Sequence, residues 1–322
     1  MINGTILSHR ICNWYRIMAN KQKKIGLALG GGSARGWAHV GVIKALMEAK
    51  IPIHCIAGTS IGSVVGGYYA SGSFSELERM AEEVEWSTFL KYLDIVLPRQ
   101  GLIEGKKILA FLRNTLKTKT IQNLSIPYCA VAADLNTGEE IQIKKGNLAE
   151  SMRASISIPG ILSPVKKSDK WLVDGGVVNP VPVSAARALG ADIVIAVDLN
   201  HDFSQTGLHL VPNEKKGGAR HEGSWIDEMK RHARDASESM KLKFKEWTIG
   251  TDPVIFDSIG WSVNIMQDQI TQKNLLTEKP DFLIRPRLGP VRAFDFHLAK
   301  PMIEEGYLQT KKILRELKVK IQ

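Results

Sequence analysis

Several things are scarce in this chain, and each scarcity removes a class of function. Cysteine is limited to Cys12, Cys55 and Cys129 in 322 residues, with no Cys-x-x-Cys pair. An odd, scattered set excludes a disulfide framework and a cysteine-built zinc cluster, and it fits a reducing compartment. Long apolar runs are missing too: nothing approaches the roughly 18 uninterrupted apolar residues of a membrane span. The apolar runs of the basic first 24 residues are short and broken, with no small-residue cleavage site behind them, so no secretory signal is expected. Residues 1–24 read as a basic N-terminal extension, and Met18, followed by Ala-Asn-Lys-Gln-Lys-Lys, is an equally good start. Acidic residues are outnumbered, which leaves a net charge of +10. That charge admits nucleic acid or an anionic membrane surface as partner, or simply a soluble basic surface, since net charge alone does not choose a partner. The chain lacks a zinc finger, an aromatic–basic patch and an RNP-like segment, so nucleic acid is not expected. The expected location is cytoplasmic, with peripheral contact to an anionic membrane surface. The sequence is silent on oligomeric state.

What remains is ordinary for a globular protein, with 44% apolar and 24% charged residues. From Lys24 onward strand-like and helix-like segments alternate. Ile25–Leu29 reads as a strand, Gly36–Ala49 as a helix, His54–Ala57 as a buried strand and Ile61–Ser71 as a small-residue helix. Helical patterns follow over Phe74–Tyr92 and Lys106–Leu116. Tyr128–Ala133 and Glu140–Ile143 read as a hairpin across Asn136-Thr137-Gly138. Trp171–Val173 is strand-like, Pro182–Leu189 helical, and Ile193–Leu199 a continuous apolar strand of the parallel type. Residues 201–224 read as a loop. Ile226, Met229, Ala233, Ala236, Met240, Phe244 and Trp247 then mark one face of a long helix. Further helices are expected over Phe256–Leu276 and Leu298–Leu317, with a late strand at Asp281–Arg285. Repeated strand–turn–helix units imply an α/β layered fold with a mostly parallel sheet. Residues 25–200 form the core, and residues 201–322 complete the same domain.

Three glycine-bearing turns follow predicted strands. The first is Gly30-Gly31-Gly32-Ser33-Ala34-Arg35-Gly36. Such a turn can aim backbone N–H groups at a pyrophosphate or at an acyl oxyanion, or simply pack a helix on a sheet. A dinucleotide fold needs an acidic residue at the end of its second strand. Here that strand ends in Gly58-Thr59-Ser60, and the nucleotide reading falls behind. The second turn is Gly58-Thr59-Ser60-Ile61-Gly62, which lifts a serine onto a strand-to-helix junction above a helix N-terminus. A small-residue turn for close helix packing would also explain the glycines, but not the serine at the apex. The third is Asp174-Gly175-Gly176, which exposes a carboxylate at a strand end or, more plainly, forms an Asx turn.

Taken in order, these turns resemble the patatin-like phospholipase family. The stretch Gly31-Gly32-Ser33-Ala34-Arg35-Gly36-Trp37-Ala38-His39-Val40-Gly41-Val42 is similar to its bacterial branch, which is related to the esterase domain of neuropathy target esterase. Ser151–Val165 and Asn179-Pro180-Val181-Pro182-Val183 also look like landmarks of the family, and the likeness covers residues 25–200 strongly. The resemblance implies a three-layer α/β/α fold with a mostly parallel central sheet. It implies that Ser60 is the nucleophile and Asp174 the general base of a dyad, with Gly31, Gly32, Ser33, Ala34 and Arg35 forming the oxyanion hole and Gly58 and Gly62 shaping the elbow. It implies no cofactor and no metal, and a phospholipid, lysophospholipid or other lipid acyl ester as substrate. An acyltransferase would use the same Ser60, and a non-enzymatic regulator could keep the fold. One departure is visible: Ser33 stands at the third position of the G-x-G-x-x-G hexapeptide, which a backbone donor tolerates with negative φ.

Of eight histidines, His9 lies in the extension, His39 in a helix and His54 at a strand start. His209 and His221 fall in the loop, and His232 and His297 in or near late helices. By position only His201 could complete a triad, and the family uses no histidine. Burial is expected to raise the pKa of Asp174 and make it a better base. Lys241, Lys243 and Lys245 are candidates for contact with an anionic lipid surface, or equally for a plain solvated helix face.

Overall fold

A computed structural model describes residues 23–83, 103–201, 255–289, 291 and 295–321. Strands β1 (Ile25–Leu29), β2 (Cys55–Thr59), β3 (Tyr128–Asp134) and β7 (Ile193–Val197) are buried over their whole lengths. That is the mark of central strands covered on both faces. Alternation along them separates two cores. Ile25, Leu27 and Leu29, Ile56, Tyr128, Ala130 and Ala132, with Ile193, Ile195 and Val197, point to one side. Ala28, Cys55, Ala57, Cys129, Val131, Val194 and Ala196 point to the other. The first face is large and aliphatic, each fully buried Leu or Ile contributing roughly 1.5–3 kcal/mol. The second is small, and burial pushes the Cys55 thiol up to about 11 and the Cys129 thiol up to about 12, so both remain protonated.

The sheet has eight strands in the order β5–β6–β3–β2–β1–β7–β8, with β4 also paired to β3. The outer members are β4 (Glu140–Ile143), β5 (Val165–Lys167), β6 (Lys170–Asp174) and β8 (Phe282–Ile284). Pairs β1/β2, β2/β3, β1/β7 and β7/β8 are parallel, while β4 and β6 run antiparallel to β3. Helices cover both faces and make a three-layer α/β/α fold. They are α1 (Trp37–Glu48), α2 (Ile61–Ala70), α3 (Phe74–Glu83), α4 (Lys106–Thr115), α5 (Leu148–Ser155), α6 (Val183–Ala188), α7 (Ile255–Thr277) and α8 (Ala299–Ile321). Helices α8 and α1 touch backbone to backbone. A methyl group on Gly41 would fall 1.9 Å from the Ile303 carbonyl oxygen, and one on Gly306 would fall 2.0 Å from that of Ala38. Among the described residues no helix is long and apolar enough to cross a membrane.

Most expected elements are present with shifted ends. The helix expected from Gly36 starts with a 3-10 turn at Ser33–Gly36, and the last helix runs on to Ile321. Helix α5 is absent from the sequence reading, although Asn147 caps it by accepting from the Glu150 N–H at 3.0 Å. The far end of the 74–92 helix, the 201–224 loop apart from His201, and the 226–247 helix with Lys241, Lys243 and Lys245 lie outside the described residues.

Candidate active site

Strand β3 is the template on which the site is assembled. Its residues 130–133 pair with β4 on one edge, so β2 and β6, which pair with residues overlapping that set, must share the opposite edge. Thr59 at the end of β2 sits opposite Val131, and Asp174 at the end of β6 sits opposite the next residue, Ala132. Two antiparallel strand ends therefore meet head to head, and Ser60 emerges beside Asp174.

Ser60 Oγ donates to Asp174 Oδ2 at 2.5 Å, and both residues are buried. The bond is direct, so no histidine stands between them, and His201 does not occupy a triad position. Ser60 stands at the N-cap position of α2 with φ 54 and ψ −127, a sparsely populated positive-φ conformation that costs a non-glycine residue on the order of 1–3 kcal/mol. The surroundings enforce it. The Ser60 N–H donates to Ser155 Oγ at 2.9 Å, and Ser155 Oγ donates to the Val131 carbonyl at 2.6 Å. The Ser60 carbonyl accepts from the Ser63 N–H at 2.9 Å and from Ser63 Oγ at 2.6 Å.

Asp174 is held as firmly. Its N–H donates to the Ser157 carbonyl at 2.9 Å, and its Oδ1 accepts from the Gly176 N–H at 2.7 Å. Burial pushes its carboxyl up to about 6, against the opposing pull of the Ser60 and Gly176 bonds.

The glycine loop packs next to this pair. A methyl group on Gly31 would lie 3.4 Å from Ser60 Cβ. The Gly31 N–H is already committed to the Pro180 carbonyl at 3.0 Å, and that of Arg35 to the Gly32 carbonyl at 3.1 Å. Of the five residues expected to donate, Gly32, Ser33 and Ala34 are the ones whose N–H groups make no backbone hydrogen bond among the described residues. Ser33 has φ 50, outside the negative range in which a serine is tolerated without strain. It opens the 3-10 turn from the left-handed region, which a short polar side chain occupies at modest cost. Beneath the loop, buried His39 holds the Gly30 carbonyl through Nε2 at 2.8 Å. Burial lowers its pKa to about 4, so the imidazole is neutral at pH 7 and its proton sits on Nε2, facing the carbonyl. The Arg35 guanidinium, also buried, donates through Nη2 to Asn264 Oδ1 at 2.7 Å. Among the described residues no group of three or more His, Cys, Asp or Glu side chains is placed to hold a metal ion.

The patatin-like phospholipase family model matches residues 27–187, half of the chain. The chain belongs to that family. An uncharacterized NTE family protein of Mycobacterium tuberculosis is 38% identical over 198 residues, covering 62% of this chain and 55% of the relative. Patatin-like phospholipase domain-containing protein 6 of Homo sapiens is 37% identical over 183 residues, 54% of this chain and 13% of the relative. A Caenorhabditis elegans patatin-like phospholipase domain-containing protein is 36% identical over 302 residues, 91% of this chain and 21% of the relative. This patatin-like chain thus spans about half the length of the mycobacterial relative and far less of the animal ones. VipD from Legionella pneumophila, a solved structure, superposes with a TM-score of 0.46 at 15% identity, over 92% of this chain and 67% of that one.

Sequence reasoning did not single out Ser155, Ser157, Asn200 or Gln267 in this patatin-like site. The alternation Ser155-Ile156-Ser157-Ile158 was the available signal, with serines toward the strand ends and isoleucines toward an apolar cluster. Replacing Ser155 by Ala leaves the buried Ser60 N–H and the Val131 carbonyl without their shared partner. At roughly 1–3 kcal/mol for each of the two stranded groups, Ser155→Ala should cost about 2–6 kcal/mol in urea unfolding. Unchanged stability would mean that the two groups find other partners.

Proposed function

We propose that the protein is a serine acyl hydrolase that cleaves fatty-acyl esters of phospholipids or lysophospholipids through an acyl-enzyme. The observation that carries this reading is the direct 2.5 Å bond from Ser60 Oγ to Asp174 Oδ2 at a strained, buried elbow. In the proposed mechanism Ser60 Oγ attacks the ester carbonyl carbon as its proton passes to Asp174 Oδ2. N–H groups from Gly32, Ser33 and Ala34 receive the oxyanion, each well-aimed donor being worth about 2.7–4 kcal/mol. Collapse expels the alcohol, which takes the proton from Asp174. Water then gives a proton to the same carboxylate and attacks the acyl-enzyme; the fatty acid leaves, and Ser60 regains its proton.

A carboxyl group raised to about 6 is a better match for this task than one at 3.8, and it is still ionised at pH 7. The segment that follows Ser155 packs Ile156 and Ile158 on a buried apolar cluster of Ile103, Ile161 and Leu162, which fixes the two serines that bond Ser60 and Asp174. The net charge of +10 suits an anionic lipid surface.

The test is to react the protein with a fluorophosphonate and map the adduct by mass spectrometry. The expected adduct is on Ser60, with Ser60→Ala neither labelled nor able to hydrolyse a phospholipid. Active protein that carries no label on Ser60 would overturn the assignment.

A further inference from the structure

Helix α7 lies beyond the residues matched to the family, yet its buried face is polar where it meets the site: Asn264, Gln267, Asp268 and Thr271 are all buried. Their spacing of three and four residues makes one stripe. Gln267 meets both the glycine loop and the Asp174 turn. A methyl group on Gly176 would fall 2.1 Å from Gln267 Nε2 and 3.0 Å from Asp174 Oδ1, so the amide and the carboxylate converge on one point of the Asp174 turn. A methyl group on Gly31 would fall 3.5 Å from Gln267 Oε1 and 3.4 Å from Ser60 Cβ. The carboxamide is therefore wedged between the glycine loop and the turn that carries the proposed base. Its orientation is set by Asn200, whose Nδ2 donates to Gln267 Oε1 at 2.9 Å and leaves the NH2 group toward the Asp174 turn. Asn200 is itself held through its N–H by Asp198 Oδ1 at 3.1 Å, and Asp198 Oδ2 accepts from Arg285 Nε at 3.1 Å.

We propose that Gln267 is a positioning residue of the active site, holding the glycine loop and the Asp174 turn at the spacing that acyl transfer requires. The inference rests on the Ser60–Asp174 reading given above. A side chain of this kind sets geometry without touching the scissile bond, and a misplacement of about 1 Å in such a constellation costs on the order of 10²-fold in rate. Among the described residues, charged groups bonded on or beside this face include Asp174, Arg35 bonded to Asn264, Asp198 paired with Arg285, and Asp268 bonded to Gln272. A new carboxylate at position 267 would sit closest to Asp174.

Three variants test it, each assayed for kcat and KM on a short-chain ester, for its pH profile and for Tm. Gln267→Ala should lower kcat about 10- to 100-fold with KM within about threefold. Gln267→Glu keeps the shape but sets a second acid against Asp174. It should move the acid limb of kcat/KM up by about one pH unit, a shift that loss of packing would not produce. Asn200→Ser, which releases the amide without removing it, should lower kcat in the same direction by less, and it carries the test if Gln267→Ala does not fold. Wild-type kcat and an unmoved acid limb in the Gln267 variants, with hydrolysis abolished in Ser60→Ala, would overturn the inference alone. A fall in Tm and kcat with no movement of the acid limb would reduce Gln267 to packing and overturn it too. Full hydrolysis by Ser60→Ala would instead overturn the Ser60–Asp174 reading, and the inference with it.

Discussion

Asp174→Asn should abolish hydrolysis and, at pH 8, make the protein more stable. The carboxyl is pushed by burial from 3.8 to about 6. Between those values the folded state holds a proton that the unfolded chain has released, so stability falls as pH rises through that window. Above pH 6 the folded state carries the whole cost of a buried carboxylate, about 3 kcal/mol at roughly 1.4 kcal/mol per pKa unit. An amide does not ionise. Its oxygen can keep the Gly176 N–H bond while its NH2 group donates to Ser60 Oγ, so both contacts of the carboxylate have a neutral replacement. A gain of about 1–3 kcal/mol at pH 8, read as a Tm several degrees higher, should vanish near pH 4, where the wild-type carboxyl is protonated as well. Activity should drop by about 10⁶-fold, the scale seen when the base that takes the serine proton is removed. For the wild type, kcat/KM should fall as pH drops through about 6, because the protonated acid cannot accept the serine proton. A variant that is no more stable at pH 8, or an acid limb near pH 4, would contradict the assigned environment of Asp174.

How much of this was legible beforehand depends on the range of the interaction. The parallel strands announced themselves as short apolar runs, since β1 and β7 are covered on both faces and carry no polar residue to confuse the pattern. The serine between Gly58 and Gly62 was visible because a sharp strand-to-helix turn has a local signature. The meeting of β2 and β6 on one edge of β3 was not, because it depends on two antiparallel strands entering a parallel sheet. Ser155 was hidden for the same reason: its value lies in joining the Ser60 N–H to Val131, residues far apart in sequence. Gln267 was hidden more deeply, inside a helix whose polar residues look like a solvated face until the sheet is placed beneath them. The glycine loop shows the opposite limit. Its composition marked it as a donor loop but could not reveal that the Gly31 N–H would be spent on Pro180. The torsion of Ser33 stayed open for the same reason: a loop's φ depends on the turn it opens, and Ser33 opens a 3-10 turn.

Gly62→Ala should severely destabilise the native state. The added methyl would lie 2.1 Å from the Leu29 carbonyl oxygen, 2.6 Å from the Leu29 carbonyl carbon and 2.7 Å from the Gly30 oxygen. All are backbone atoms of β1 and the loop that follows it, so no side-chain rotation relieves the clash. Relief requires moving α2 away from the sheet, against the β1–β2 register and the Ser60 torsion together. The cost should be on the order of 4 kcal/mol or more, among the large values for a single substitution. Gly58→Ala should behave alike, with its methyl 2.5 Å from the Gly62 carbonyl carbon and oxygen. Gly72→Ala is the control: its φ is 72, but nothing lies within 4 Å of the added methyl, so only torsional strain of about 1–2 kcal/mol remains. Urea unfolding of the three variants separates steric from torsional cost, and a Gly62→Ala protein within about 1 kcal/mol of wild type would refute the close approach. The contact also has a chemical consequence. The same approach that excludes a methyl at position 62 presses the N-terminus of α2 against the glycine loop, which brings the loop next to Ser60. Any Gly62→Ala molecules that do fold should therefore carry a displaced loop and react slowly with a fluorophosphonate, although Ser60 and Asp174 are both intact.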